Sequence, residues 1–189
     1  MIATGYQELG EIYLYYQTSN NSLLFYRDNI MAERVNDRNY AALTKDELIK
    51  VFHLHIEELE KTVSMSILSN IEAGFRIDYV IRSKKRLKDP ISRRFRELFK
   101  TKAEKVSLEN EILTIWKEES PKFKGIISDF IGALKYRHWL AHGRYWTPKL
   151  GRKYDLATIY TISEKIYANL PLKKGITRRS TGLLFRCAP

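Results

Sequence analysis

The sequence predicts an all-α protein, a helical bundle of about five to seven helices with one long central helix or a kinked helix pair. Three observations predict it. Apolar residues recur every three or four positions through Leu48, Phe52, Ile56, Leu59, Val63, Ile67, Ile71 and Phe75, and on toward Ile81, which is the period of one helix face. Residues that start helices stand ahead of such runs, at Thr44, Asp89 and Ser107. No segment alternates apolar and polar positions with the period of two that a half-buried strand requires.

Taken in order, residues 6 to 35 predict two short helices, the first carrying Tyr13, Tyr15 and Tyr16, with Ser19-Asn20-Asn21-Ser22 as the break between them. Thr44-Lys45-Asp46-Glu47 is a capping box: the Thr44 hydroxyl and the Glu47 carboxylate each satisfy a free backbone N–H. The helix that follows, if unbroken from 45 to 86, is about 60 Å long at 1.5 Å per residue, and Ser64, Ser69 and Gly74 are the places where a kink is expected. Asp89-Pro90 supplies a cap and a first-turn proline for a helix through Phe95, Leu98 and Phe99. Ser107 caps the next, which includes Ile112, Ile115 and Trp116. After Pro121 a helix runs from about Lys124 to Leu140, with Gly143 as terminator. The last covers Leu156 to Asn169, because Pro171 turns Leu170 away from helical geometry. Residues 1–172 thus form a single helical domain, with 1–43 as an N-terminal extension and 44–170 as the core bundle. Residues 173–189, with Lys173, Lys174, Arg178, Arg179 and Arg186, read as a flexible basic tail.

Composition narrows the partners. The 189 residues hold 33 Lys and Arg against 22 Asp and Glu, a formal charge of +11, which favours polyanions such as nucleic acid or an anionic membrane surface. No apolar run approaches the ~20 residues of a spanning helix, and the first residues lack a basic stretch followed by an apolar one, so a cytoplasmic protein without a membrane partner is expected. Cys187 is the single cysteine, so no internal disulfide and no multi-cysteine zinc site can form. The cations are uneven: residues 82 to 105 hold eleven Lys or Arg against Asp89, Glu97 and Glu104. That run reads as a solvated face whose excess charge could guide RNA toward a cleft.

The most informative stretch is Lys135-Tyr136-Arg137-His138-Trp139-Leu140-Ala141-His142-Gly143-Arg144-Tyr145-Trp146, with two arginines, two histidines and four aromatic rings in twelve residues. A guanidinium can hold a phosphate bidentately, and an imidazole beside it can move a proton near neutral pH. On a regular helix the side chains of Arg137 and His142 point about 140° apart. They therefore meet only if the helix ends before His142 or a second surface closes the site, and Gly143 makes such an ending expected. His138 and His142, four apart, share a face and invite a metal reading. Trp139 stands where a metalloprotease helix needs Glu, and no third ligand follows, so neither a metal nor any other cofactor is expected. His53 and His55, two apart, cannot chelate one ion together. Trp139, Leu140 and Trp146 read as packing residues.

Arg137, the polar His138, three residues and then His142-Gly143 resemble the Arg, four-to-six residues, His signature of the HEPN superfamily (higher eukaryotes and prokaryotes nucleotide-binding), whose members are small helical bundles. Ile71-Glu72 followed by Arg76 is similar to a pattern on an earlier helix in the abortive-infection branch of that family. The resemblance covers roughly residues 44 to 170. It implies a metal-independent ribonuclease that dimerises, with two Arg and His pairs facing one RNA-sized cleft, and a bacterial toxin or phage-defence effector with an antitoxin or other regulatory protein as a further partner. Some family toxins carry a Tyr two positions after the motif His as a site of adenylylation; here that place is Arg144, and Tyr145 is one further on, free to stack a base or fill the core.

The expected chemistry assigns Arg137 and His142 to catalysis. His142 takes the proton from a ribose 2′-OH, the alkoxide attacks its own phosphate, Arg137 holds the non-bridging oxygens, and a protonated His from the second subunit donates to the departing 5′-oxygen. Products are a 2′,3′-cyclic phosphate and a 5′-hydroxyl. His138, Tyr145 and Glu72 are expected as auxiliary residues, Glu72 either pairing with Arg76 four residues on or orienting Arg137 or His142 across the bundle. Arg144, Lys149, Arg152 and Lys153 are the expected RNA contacts. The competing reading is a non-catalytic RNA- or protein-binding helical dimerisation module that uses the same basic face.

Overall fold

The computed structural model describes residues 7–174, and among them it holds six α-helices and no strand. The helix α1 (Leu9–Met31) lies antiparallel on α2 (Lys45–Lys84). The Tyr16 hydroxyl donates to Glu60 at 3.2 Å near one end, and Tyr26 packs on Phe52 at 6.0 Å near the other. The Thr44–Glu47 capping box forms as its spacing predicts, the Thr44 N–H donating to Glu47 at 2.8 Å.

One expectation is corrected here. The break at residues 19–22 does not form, and α1 is one helix of 23 residues. The Ser22 hydroxyl donates to the Thr18 carbonyl one turn back at 2.8 Å, so the polar run is satisfied inside the helix, and packing along α2 outweighs its weak propensity. The long helix is one continuous element through Ser64, Ser69 and Gly74, the first of the two forms expected for it; Ser64 and Gly74 are buried in its packed face.

The second half of α2 is the axis of the molecule. Its Ile67, Leu68, Ile71 and Phe75 have no exposure. Phe75 stacks on Phe130 at 5.6 Å and meets Trp116 edge-on at 6.3 Å, joining α5 (Lys124–Ala141) and α4 (Thr114–Glu119) to it. Tyr79 meets Phe95 of α3 (Pro90–Lys102) edge-on at 5.1 Å, and α6 (Leu156–Asn169) packs along α2 and α5. One core of apolar side chains runs through the whole arrangement from Ile12 to Leu170. Residues 108–113, expected as ordinary helix after Ser107, form a π-helical turn instead. The Ser107 hydroxyl accepts from the Asn110 N–H at 3.2 Å, while the Glu111 carboxylate accepts from the Ser107 N–H at 2.7 Å. The wider turn aims Glu109 and Asn110 toward α5.

Basic residues 82 to 105 are not one solvated face. Arg82 is 3% exposed. It donates to Asp78 at 2.7 Å, to Asp89 at 2.9 Å, to Ser92 at 3.1 Å and to the Pro171 carbonyl at 2.9 Å. Asp78, itself fully buried, also accepts from the Trp116 indole at 3.2 Å and from the Lys173 N–H at 2.7 Å. Burial pushes the Asp78 carboxyl up, against the pull of Arg82 and these donors. The start of the expected tail is thus clamped to α2; from residue 175 on, including Arg178, Arg179, Arg186 and Cys187, it lies outside the described residues.

Candidate functional site

The apolar residues of α5 set where its polar ones go. Ile127, Phe130, Ala133, Leu134 and Tyr136 are buried, which leaves Arg137 half-buried and His138 on the solvent side. The helix ends after Ala141, as Gly143 predicts: the His142 N–H still donates to the His138 carbonyl at 3.1 Å, and Gly143 and Arg144 then take left-handed backbone with φ of 76° and 57°. For Arg144 that conformation is strained by about 1 kcal/mol or more. Its guanidinium is held by two hydrogen bonds to Glu58, at 2.6 and 2.9 Å, which keep the Glu58 carboxyl below its ordinary value. The Trp139 indole donates to the Trp146 carbonyl at 2.7 Å and folds the chain back along the helix. Farther on, the Tyr154 hydroxyl lies over Gly132, where a β-carbon would stand 2.3 Å from it, so the return of the loop requires glycine at that position.

Between α5, α2 and the π turn lies a groove of about 360 Å³, lined by Glu72, Arg76, Ser107, Leu108, Glu109, Asn110, Leu134, Arg137 and His138. A second groove of about 270 Å³ shares Glu109, Leu134 and His138 with it and adds Lys135, Trp146, Pro148, Lys149 and Leu150. His138 stands at the junction of the two.

Glu72 is the hinge of the first groove. One of its oxygens accepts from Arg76 at 3.0 Å, and the other lies 3.6 Å from Arg137. Both roles weighed for it, helix pairing and orientation of Arg137, coexist on one carboxylate. The Arg137 Nε is buried without a hydrogen-bond partner. A buried donor left unmade costs about 1–3 kcal/mol; the rest of the side chain, about one-third exposed, lines the groove. Arg76 also donates to the Val106 carbonyl at 3.2 Å, tying the groove wall to the helix.

The sequence-predicted pair is split. Arg137 lines the groove with His138, whereas His142 sits at the helix end with its ring 4.1 Å from that of His138 and tilted by 49°. The three residues form a row in which His138 links the other two. Tyr145 is 84% exposed, edge-on to Trp146 at 4.6 Å, so it does not fill the core. Among the expected RNA contacts, Lys149 lines the second groove. Arg144 is engaged by Glu58, Arg152 by Asp129 at 3.3 Å and by the face of Tyr154, and Lys153 points to solvent 3.9 Å from Asp155. Trp139 and Leu140 pack against the core as expected.

Sequence reasoning missed Asn110 and Glu109, which no local pattern marks and which the π turn brings in; Ser107 was legible as a helix cap and not as a groove residue. Arg76 was visible as the partner of Glu72 and in the Ile-Glu-then-Arg pattern. Among the described residues no group of three or more His, Cys, Asp or Glu converges as a metal site, and no helix is long and apolar enough to cross a membrane. The chain matches no family model, no curated protein and no solved structure.

Proposed function

We propose that this chain is a metal-independent endoribonuclease whose substrate phosphodiester lies on the row Arg137–His138–His142. The observation that carries the reading is the Arg137 guanidinium, held on one edge by Glu72 and about one-third exposed in the groove that it lines with the solvent-facing His138. Arg137 binds the non-bridging oxygens of the phosphate and offsets the charge that grows on them as the ribose 2′-oxygen attacks. His142 accepts the 2′-OH proton. A protonated imidazole, His138 of the same chain or a histidine of a second copy, gives a proton to the 5′-oxygen as the P–O bond breaks. The products are a 2′,3′-cyclic phosphate and a 5′-hydroxyl, and DNA, which lacks the 2′-OH, is not cut. The Arg, four residues, His resemblance adds the roles of homodimer and of toxin or phage-defence effector, restrained by an antitoxin or other regulatory protein.

The test is incubation of the purified protein with RNA and sequence-matched DNA in excess chelator. Cleavage of RNA alone, with cyclic phosphate ends and loss of turnover of about 100-fold or more in His142→Ala, is the expected result. Salt-sensitive RNA binding without any cleavage establishes instead the non-catalytic binding module, a reading favoured by the position of His142 outside the Arg137 groove.

A further inference from the structure

The eleven cations between residues 82 and 105 divide by partner. Arg82, Lys84, Arg94, Lys100 and Lys102 are each in an ion pair. Arg96 donates to the carbonyls of Lys85 and Leu87, at 3.3 and 2.7 Å, and so rigidifies the turn between α2 and α3. Lys85, Arg86, Lys88 and Arg93 are exposed and, among the described residues, have no acidic partner; together they make the corner where α2 meets α3. The acid in that corner, Asp89, is already engaged: it caps α3 through the Ser92 N–H at 3.0 Å and accepts from Arg82 at 2.9 Å. Its charge is thus matched by Arg82, which leaves the four exposed cations in excess at the corner. From it, the outer side of α3 leads to the exposed Lys105, next to Val106, whose carbonyl accepts from Arg76 of the groove. The 13 residues of α3 span about 20 Å at 1.5 Å per residue.

We infer that Lys85, Arg86, Lys88 and Arg93 form an anchoring site for RNA phosphates remote from the groove, so that an RNA strand is held at the α2–α3 corner, follows α3 past Lys105 and enters at Arg76. This rests on RNA as the ligand of the groove. A strand must be several nucleotides long to cover this span of about 20 Å, so the anchor distinguishes long RNA from short. These four are positioning residues, and their effect is read in affinity.

The experiment compares full-length wild type with the variant Lys85→Gln, Arg86→Gln, Lys88→Gln, Arg93→Gln and with a control of equal charge change spread elsewhere, Lys117→Gln, Lys122→Gln, Lys124→Gln, Lys165→Gln. Helical circular dichroism verifies that both fold. Binding of a long single-stranded RNA, of a trinucleotide and of vesicles rich in anionic lipid is measured over a salt series. The corner variant is expected to lose about 100-fold in affinity for long RNA at low salt, with the salt slope reduced by about three and trinucleotide binding unchanged, while the control loses far less. Equal losses in both variants overturn the inference in favour of diffuse charge. Loss of vesicle binding with RNA binding intact overturns it in favour of a membrane surface. If no RNA is cleaved yet the corner variant loses long-RNA binding selectively, the anchor stands and the nuclease reading falls.

Discussion

Glu72 shows how one side chain can decide what its neighbours do. Its carboxylate sits between Arg76 and Arg137, so it both fixes the Arg137 guanidinium and competes with any phosphate for it. Glu72→Gln is expected to lower kcat/KM on RNA roughly 10- to 100-fold through misplacement of Arg137, while changing the unfolding free energy by less than about 1 kcal/mol, since Arg76 and Arg137 are each about one-third exposed or more. A gain in RNA affinity with kcat intact shows instead that Glu72 only screens Arg137. A second residue-scale effect concerns acid. Asp155 caps α6, and the hydrogen bonds from Thr158 hold its carboxyl below its ordinary value. A depressed carboxylate contributes stability that is complete above its unfolded pKa of about 4 and is lost as pH falls through the lower folded value. Asparagine also caps a helix but does not titrate, so Asp155→Asn should shrink the fall in Tm between about pH 5 and pH 3. An unchanged pH dependence rejects this contribution.

At the scale of elements, the pair Asp78–Arg82 joins four segments: α2, the cap of α3, the indole of Trp116 on α4 and the chain after α6. Such a pair is costly to bury and more costly to break. Arg82→Met leaves Asp78 as an uncompensated buried charge and should destabilise by about 3–5 kcal/mol in urea unfolding, and adding Asp78→Asn should recover part of that loss. Recovery of nothing indicates that the Pro171 and Lys173 contacts, and not the charge, dominate. The capping box of α2, the Asp89-Pro90 start of α3 and the Gly143 stop of α5 were legible because each depends on backbone groups within a few residues. The continuity of α1 through Ser19–Ser22 and the π turn at 108–113 were not, because both are decided by what lies across from them.

Across the whole molecule, charge is polar in its distribution. Residues 7–62 hold ten acidic and six basic side chains, whereas residues 63–174 hold twelve acidic and twenty-four basic. The α1–α2 hairpin end thus repels a polyanion and the body attracts it, a field that would steer the proposed RNA substrate toward the half containing Arg137. Arg137 lines the groove while His142 stands just past the end of α5, and a second copy is the second way of uniting them. If a two-fold dimer builds each site from the Arg137 of one copy and the His142 of the other, mixing Arg137→Ala with His142→Ala protein should restore about a quarter of wild-type activity by random pairing. Absence of any restoration, with exchange of subunits verified, places both groups of each site in one chain, with His138 as the link.

The all-α class, the long helix, the starts of α2, α3, α5 and α6, the ends of α5 and α6, and the presence of an Arg and two His near the end of a late helix were determined by the sequence alone. Apolar period and cap chemistry are local, and each residue carries its own share of them. What the tertiary structure decided is which charges remain available. Arg144 and Arg152 look in the sequence like the same free cations as Lys85, Arg86 and Lys149, and only the approach of Glu58 on α2 and Asp129 on α5 removes them. The same holds for the site: His138 and not His142 enters the groove of Arg137, because the packing of Leu134 and Tyr136 fixes the rotation of α5. Electrostatic partners and helix rotation are set by distances between segments far apart in the chain, and no window of sequence contains them.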